Sequence, residues 1–357
     1  MNRRTFLLST SSTTALTISG ALSQAPKNPG APEGNRSTTS EELVTAHTED
    51  DLKQAGLVFS PSPEPAGPTA VVWVHGATAN FYYASYVAIA RKMASLGYRF
   101  VLGNTRMHDI GCVLADYADG SALRGGSLWG QPSKEPLDIA AWIDVAEKKG
   151  HSSVVLIGHS AGGPAVRRYM AERTDKRVVG WGQASVGLAL WPPRADADRL
   201  KIATDMVAAG HGQDFLPNLR LSAGTFLDYA QTPDDIYDFF GIENANPAIS
   251  RLRTPLLAFY GSKGDVGSIA DLDHMRALIS KHTGGPTHID TAIIQDGDHD
   301  YAGQEAQVAL LLANWIKRLA VSAADPPIRP VMQTWHTPVR HDHRTGTSHA
   351  SASSSKL

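Results

Sequence analysis

Short apolar runs alternate with segments of helical periodicity through the middle of the chain. The runs that predict strands are residues 70–74, 98–102, 154–157, 178–182, 256–260 and 291–294. The segments that repeat apolar residues at helical spacing are 83–93, 139–146, 164–170, 275–278 and 308–319. A continuous apolar run is typical of a strand buried on both faces, as in a parallel sheet. We therefore predict an α/β fold, in which a mostly parallel sheet is flanked by helices.

Four segments depart from this alternation. Residues 43–48 and 56–60 are two short strand-like runs, and we expect them to pair as an antiparallel hairpin at one edge of the sheet. Residues 104–136, which contain many Gly, Asp and Arg residues, predict a long loop. Residues 191–250 combine helical pieces with many aromatic side chains, and we interpret them as a helical lid inserted into a folded domain that spans residues 41–320.

The two ends of the chain differ in composition from this domain. Residues 1–25 carry Arg3 and Arg4 before a weakly apolar Ser/Thr-rich stretch and resemble a twin-arginine signal peptide. This resemblance implies passage through the twin-arginine export machinery to the periplasm or the medium, with no stable membrane anchor. Residues 26–40 predict a flexible leader, and residues 321–357 predict a disordered tail. The final Ser-Lys-Leu matches a peroxisomal address, which conflicts with the longer N-terminal pattern, and we interpret it as a coincidence.

Overall composition narrows the classes of function. The chain has 357 residues, 42% of them hydrophobic, which is enough for a sizeable core. A formal net charge of -2 gives no reason to expect a nucleic acid partner. Cys112 is the one cysteine of this sequence, so no internal disulfide can form. The sequence contains neither H-E-x-x-H nor G-x-G-x-x-G, and we predict no metal and no cofactor.

The strongest chemical signal is Gly158-His159-Ser160-Ala161-Gly162, which separates a predicted strand from a predicted helix. Glycines permit a sharp turn with unusual backbone dihedral angles. A strand, turn and helix of this kind expose a serine hydroxyl at the N-terminus of the helix. We therefore predict that Ser160 is a nucleophile.

A serine nucleophile needs a general base and a carboxylate that orients that base. In parallel sheets such groups follow the carboxyl ends of strands. Asp265 follows the strand at 256–260, and His299 follows the strand at 291–294. We predict Asp265 as the orienting acid, with Asp271 and Asp273 as alternatives and helix capping as its alternative role. His299 is the predicted base.

An acyl-transfer site also needs two N–H donors for the developing oxyanion. The backbone N–H of Ala161, directly after the nucleophile, is one predicted donor. The turn after the strand at 70–74 reads His75-Gly76-Ala77-Thr78, and the N–H of Ala77 is the other, with Thr78 as second choice. We expect His75 to brace this turn by hydrogen bonding.

With these motifs in the order Ser, Asp, His, residues 41–320 resemble the α/β-hydrolases, and more narrowly bacterial esterases and serine-aminopeptidase-like enzymes. The resemblance implies a catalytic triad of Ser160, His299 and Asp265 that hydrolyses a small or medium carboxylic ester through an acyl-enzyme. Thr78, Trp129 and Trp191 are candidate pocket residues, although the aromatic side chains of the insert can equally serve to pack it.

Two other functions remain open on the sequence. A peptidase or amidase uses the same triad. Its usual additional feature is an acidic site that binds a free amino terminus, and we recognise no motif for such a site in the sequence. A catalytically silent binding protein on the same scaffold is the other alternative. The intact order of Ser160, Asp265 and His299 favours an enzyme.

Overall fold

The computed structural model describes residues 38–63, 67–116, 120, 122–188 and 196–324. The predicted signal peptide, nearly all of the predicted leader, the tail beyond residue 324 and the pocket candidate Trp191 lie outside the described residues.

The strands in the described residues are β1 (Thr38–His47), β2 (Leu52–Ser62), β3 (Thr69–Val74), β4 (Phe100–Gly103), β5 (Cys112–Asp116), β6 (Ala122–Gly125), β7 (Ser153–His159), β8 (Val178–Ala184), β9 (Leu256–Gly261) and β10 (Ile289–Ile294). The α-helices are α1 (Ala84–Ser95), α2 (Glu135–Lys148), α3 (Gly162–Glu172), α4 (Ala197–Ala208), α5 (Ala223–Ala230), α6 (Asp234–Tyr237), α7 (Ile269–Ser280) and α8 (Glu305–Ala324). Short 3-10 helices lie at Pro132–Lys134 and Ala248–Arg251.

These strands form one mixed sheet in the order β10-β9-β8-β7-β3-β4-β2-β5-β6, with β1 paired to β2. The neighbours from β4 through β3, β7, β8 and β9 to β10 are parallel, as the apolar runs predict. The carboxyl ends of these parallel strands therefore meet at one edge of the sheet, where the loops after β3, β7, β9 and β10 can approach one another.

Both faces of the sheet are covered, because successive side chains of a strand point to opposite faces. Val72 and Leu156 pack with α2, α3 and α7 on one face, whereas Val71, Trp73 and Val155 pack with α1 and α8 on the other. The central strands are buried on both sides for this reason, which confirms the interpretation of their continuous apolar runs.

The structure confirms the hairpin and corrects two boundaries. β1 and β2 pair antiparallel, with Leu43 opposite Leu57, but β1 already begins at Thr38, inside the segment predicted as a leader. The predicted loop at 104–136 contains the antiparallel pair β5 and β6 and the start of α2. This pair buries few apolar side chains, since Val113 is 75% exposed and Leu123 is 47% exposed, so it leaves no clear apolar pattern in the sequence.

The insert has a small core of its own, in which Ala203, Leu216, Leu221, Ala223 and Phe226 are buried together. It is attached to the segment before α2. The Ser222 N–H donates to the Leu128 carbonyl at 3.0 Å, and the Thr225 hydroxyl donates to the Gly130 carbonyl at 2.8 Å. Among the described residues, no helix has the length and apolar character needed to cross a bilayer.

Candidate active site

Ser160 lies on a strained turn between β7 and α3. Its φ is 50°, a left-handed backbone conformation that non-glycine residues rarely adopt. The turn fits closely against its neighbours: a Cβ at Gly162 would lie 2.4 Å from the His75 carbonyl oxygen, and one at Gly158 would lie 2.5 Å from the Gly162 carbonyl oxygen. Gly162 therefore allows the turn to pack against His75 at the end of β3, and Gly158 allows β7 and α3 to approach each other closely. Ser160 thus lies in a strand-turn-helix connection with a left-handed backbone conformation, which is the geometry expected of a nucleophile elbow.

His299 is the side chain that the fold brings to this hydroxyl. Its Nε2 lies 2.9 Å from Ser160 Oγ, within hydrogen-bond distance. The loop after β10 carries His299, so the contact joins two loops at the same edge of the sheet. Because Nε2 faces the hydroxyl, it is the atom that can accept the Ser160 proton, and Nδ1 is left to carry the other ring hydrogen.

Asp265 lies on the far side of the His299 ring. Asp265 Oδ1 is 3.3 Å from His299 Nδ1, within ion-pair distance, but the two groups are not aligned as a hydrogen bond. The Asp265 side chain is also 84% exposed, whereas that of His299 is 30% exposed. The contact is thus present but loose, and water competes for the carboxylate.

The alternatives for the acid have other roles. Ser268 caps α7, and its backbone N–H and its hydroxyl both donate to the Asp271 carboxylate, so Asp271 is occupied in a capping box. Asp273 lies within α7. Asp265 lies before this cap, which argues against its alternative role as the capping residue.

The two predicted oxyanion donors are free of other partners among the described residues. The Ala77 and Ala161 amides donate to no acceptor in the described part of the chain, and both residues are exposed. Thr78, by contrast, donates its N–H to Ser127 Oγ at 2.7 Å, and that hydroxyl donates to the Met107 carbonyl at 2.9 Å. The second-choice donor is therefore already engaged and serves to anchor the loop.

His75 braces this loop through its own ring. The Thr105 N–H donates to His75 Nε2 at 3.0 Å, so Nδ1 carries the hydrogen and donates to the Gly76 carbonyl at 2.9 Å. Gly76 C=O and Ala77 N–H belong to one planar trans peptide and point in opposite directions. Holding the carbonyl on one side therefore fixes the direction of the Ala77 N–H on the other. Burial lowers the pKa of His75 to about 4, which keeps the ring neutral.

A buried carboxyl group continues this network. Thr105 Oγ1 donates to Glu135 Oε1 at 2.8 Å, and Glu135, the first residue of α2, is 5% exposed. Burial raises the pKa of Glu135 from 4.5 to about 8 and outweighs the opposing effect of the Thr105 hydrogen bond. The side chain is therefore largely protonated near neutral pH.

We expect this raised pKa to make stability depend on pH. In the unfolded chain Glu135 ionises near 4.5, whereas in the folded protein it stays neutral up to about 8. Its contribution is complete below pH 4.5 and is lost as the pH rises to about 8. Chemical denaturation should show the free energy of unfolding of the wild type falling by a few kcal/mol relative to Glu135→Gln over this interval. The exposed Glu243→Gln is the control, and parallel curves for wild type and Glu135→Gln would contradict the prediction.

The candidate pocket residues have differing positions. Trp129 stacks on Phe215 with ring centroids 4.8 Å apart, and its Nε1 donates to the Gln213 carbonyl at 3.0 Å. These contacts pack the insert against the loop before α2. A cavity of about 480 Å³ is lined by Trp129 together with Arg106, Arg124 and Lys134, and neither Ser160 nor His299 is among its lining residues.

Many aromatic side chains of the insert pack in the protein interior and do not line a pocket. Phe226, Phe239 and Phe240 are at most 2% exposed, and the Arg167 guanidinium lies 4.7 Å from the centre of the Phe240 ring. These residues are buried in the interior and line no open surface. Thr78 is exposed beside Ala77, which is compatible with its predicted place in a pocket.

One group of side chains has the composition of a metal site. Among the described residues, ligand atoms of His159, His299 and Asp300 lie within 4.8 Å of one another. His159 Nε2 already bonds to the His299 carbonyl, and His299 Nε2 already bonds to Ser160 Oγ. A metal bound through these two nitrogens would have to displace both contacts, so this group is better described as part of the serine site.

Sequence reasoning missed three residues that organise the site. Ser127 accepts the Thr78 N–H and so anchors the loop after β3. Tyr86 Oη and His159 Nδ1 are within hydrogen-bond distance of each other, at 2.7 Å. Tyr86 was predicted as part of the apolar face of α1, which is true of its ring but not of its hydroxyl. His159 was within the elbow motif, and its place beside the nucleophile was the signal that could have identified it.

No family model matches the chain. No curated protein matches it either. Solved structures do resemble it. The Pyrococcus furiosus esterase Pf2001 is 16% identical, with 82% of this chain and 97% of that chain covered and a TM-score of 0.51. Est1E from Butyrivibrio proteoclasticus, described with bound ferulic acid, is 15% identical over 78% of this chain and 99% of its own, with a TM-score of 0.52.

The hypothetical protein PA2218 from Pseudomonas aeruginosa is also similar, at 13% identity over 78% of this chain and 94% of that chain, with a TM-score of 0.53. Identities this low establish the fold alone. The chain has the α/β-hydrolase fold, as the motifs predict, and its structural neighbours include esterases.

Proposed function

We propose that this protein is a serine hydrolase that cleaves carboxylic esters of small or medium size through an acyl-enzyme. The observation that carries the proposal is the 2.9 Å contact between Ser160 Oγ, on its strained turn, and His299 Nε2. The presence of esterases among the structural neighbours supports ester hydrolysis as the general type of reaction.

The proposed first step is acylation of the serine. His299 Nε2 accepts the proton as Ser160 Oγ attacks the ester carbonyl, and the carbonyl oxygen gains negative charge between the Ala77 and Ala161 amides. Asp265 stabilises the imidazolium that forms. His299 then gives its proton to the alcohol as that group leaves, and the acyl group remains on Ser160.

Water completes the cycle. His299 Nε2 takes a proton from a water molecule, which attacks the acyl-enzyme, and the same two amides stabilise the second tetrahedral intermediate. Collapse of this intermediate returns the proton to Ser160 Oγ and releases the acid. All of these steps use groups of this chain, the ester and water.

Two measurements on the same protein test the proposal. One is turnover of a panel of nitrophenyl esters and aminoacyl amides, and the other is covalent labelling by a fluorophosphonate probe. We expect turnover of the esters and labelling at Ser160, which peptide mapping locates. Activity confined to the amides would instead identify a peptidase or amidase. A folded protein that hydrolyses neither substrate and is not labelled would be a binding protein on a hydrolase scaffold.

A further inference from the structure

A chain of hydrogen bonds connects the loop after β3 with α1, the end of β7 and the loop after β10. The Gly76 N–H donates to Tyr86 Oη at 3.1 Å, and Tyr86 Oη lies 2.7 Å from His159 Nδ1. His159 Nε2 lies 2.8 Å from the His299 carbonyl oxygen. The chain thus begins at the oxyanion loop, passes the residue before the nucleophile, and ends at the backbone of the base.

Each bond in this chain has one possible direction. The His299 carbonyl can only accept, so His159 Nε2 carries the hydrogen. In a neutral imidazole Nδ1 must then be an acceptor, and the Tyr86 hydroxyl donates to it. Tyr86 Oη in turn accepts from the Gly76 N–H. All donors point the same way, an arrangement in which successive hydrogen bonds strengthen one another.

The surroundings keep both side chains in this state. Tyr86 and His159 are each 1% exposed, and Trp73 packs on both rings, with centroids 5.5 Å from Tyr86 and 6.1 Å from His159. Burial lowers the pKa of His159 to about 4, so the ring is neutral near pH 7. Protonation would place a hydrogen on Nδ1, facing the hydroxyl that now donates to it.

The hydrogen bond from His159 to the His299 carbonyl links this hydrogen-bond network to the predicted base. β10 is separated from β7 by β8 and β9 in the sheet, which corresponds to about 14 Å at the usual spacing of strands. The loop after β10 must therefore reach back across two strands to bring His299 to Ser160. His159 binds the backbone of that loop at His299 itself. Two residues further along, the Tyr301 hydroxyl donates to the Phe259 carbonyl of β9 at 3.2 Å and accepts from the Ser185 hydroxyl at 2.8 Å, so the intervening strands hold the loop beyond the base.

His159 itself does not act as a base toward Ser160. Its Nε2 donates to the His299 carbonyl, and its Nδ1 accepts from Tyr86, so no ring nitrogen is left to accept the serine proton. Simple filling of the core does not explain the pair either, because a filler needs no polar atoms at these positions.

Resting on the proposed function, we infer that Tyr86 and His159 are positioning residues that set the distance between the oxyanion donors and the His299 base. Displacements of about 1 Å in such a site can lower the rate about 100-fold. The pair acts on the transition state, because the oxyanion and the imidazolium develop together there and in the adjoining tetrahedral intermediate, and not in the bound ester.

Three substitutions distinguish the hydrogen bond between Tyr86 and His159 from the one between His159 and the His299 carbonyl. Tyr86→Phe removes one oxygen and keeps the ring. His159→Gln can keep a donor near the Nε2 position for the His299 carbonyl, whereas His159→Asn can keep an acceptor near the Nδ1 position for Tyr86. Tyr169→Phe is the matched control, since its buried hydroxyl on α3 donates to Asp175 and lies outside the site.

We expect kcat for a nitrophenyl ester to fall about 10-fold in Tyr86→Phe and His159→Gln and about 100-fold in His159→Asn, with KM changed less than about 3-fold. Fluorophosphonate labelling of Ser160 should slow in the same order. In the double variant Tyr86→Phe/His159→Asn the losses should not multiply, because both changes interrupt one chain. Tyr169→Phe should match the wild type in both assays.

Two results would overturn the inference while the proposed function stands: wild-type labelling and turnover in Tyr86→Phe and His159→Gln, or losses that appear in KM alone. If the wild type is neither labelled nor active on esters, the proposed function fails and the inference fails with it. Thermal denaturation identifies any variant that does not fold, and Tyr86→Phe, the smallest change, then decides.

Discussion

Ester hydrolysis by Ser160→Ala should fall about 10⁴- to 10⁶-fold in kcat, and His299→Ala should lose nearly as much. Ser160 Oγ forms the covalent bond, and His299 Nε2, 2.9 Å away, is the group placed to remove its proton. Without the base the hydroxyl remains a weak nucleophile at neutral pH. The residual rate should come from the Ala77 and Ala161 amides and from substrate binding, which both variants retain.

The double variant is the more decisive measurement. Because Ser160 and His299 act as one unit, Ser160→Ala/His299→Ala should be no slower than the slower single variant. Initial rates with a nitrophenyl ester at high enzyme concentration measure these residual activities, and thermal denaturation checks that the variants fold. Ser95→Ala and His274→Ala change the same residue types at exposed positions of α1 and α7 and should leave the rate unchanged. Retained turnover in His299→Ala would place the base elsewhere.

The central fold was predictable because burial imposes a simple pattern on the sequence. A strand covered on both faces must be apolar throughout, so β3, β7 and β9 are visible as short apolar runs. β5 and β6 were missed for the opposite reason. The pair lies at the end of the sheet with mostly exposed side chains, and nothing forces its residues into an alternating pattern.

The candidate site was predictable where its residues follow strand ends. Topology brings these ends to one edge, so the positions of Ser160, Asp265 and His299 after successive strands were sufficient to predict that the three side chains lie together. The contacts around Tyr86 and His159 were not predictable in this way. They depend on the path of the loop after β10 across two neighbouring strands, and no spacing along the chain records that path. The same is true of Ser127, whose partner Thr78 lies in another loop.

Asp265→Asn should lower kcat about 100-fold, a smaller loss than that of Ser160 or His299. In a well-aligned triad, amide replacement of the acid costs about 10⁴-fold, because the ring then adopts the wrong tautomer and the imidazolium loses its counter-charge. Here the carboxylate is 84% exposed and lies 3.3 Å from His299 Nδ1 without hydrogen-bond alignment. Water already screens the carboxylate charge, so its removal costs the imidazolium less stabilisation. The exposed asparagine can also turn away from the ring, so it need not impose the wrong tautomer on His299.

Asp298 provides the matched control for this prediction, since it is adjacent to His299 and carries the same charge as Asp265. Asp300 is the rival candidate for the orienting acid, since its Oδ1 lies 4.0 Å from His159 Nε2 within the serine site. Asp300 accepts the Tyr83 hydroxyl at 3.0 Å, and Asp298 accepts the backbone N–H groups of Asp300 and Ala302. Asp298→Asn and Asp300→Asn therefore keep an acceptor for these donors and should change kcat by less than about 5-fold. If Asp300→Asn loses activity while Asp265→Asn retains it, Asp300 orients the base. A full loss of about 10⁴-fold in Asp265→Asn would contradict this reasoning, because it would show that the carboxylate orients His299 as strongly as in a well-aligned triad.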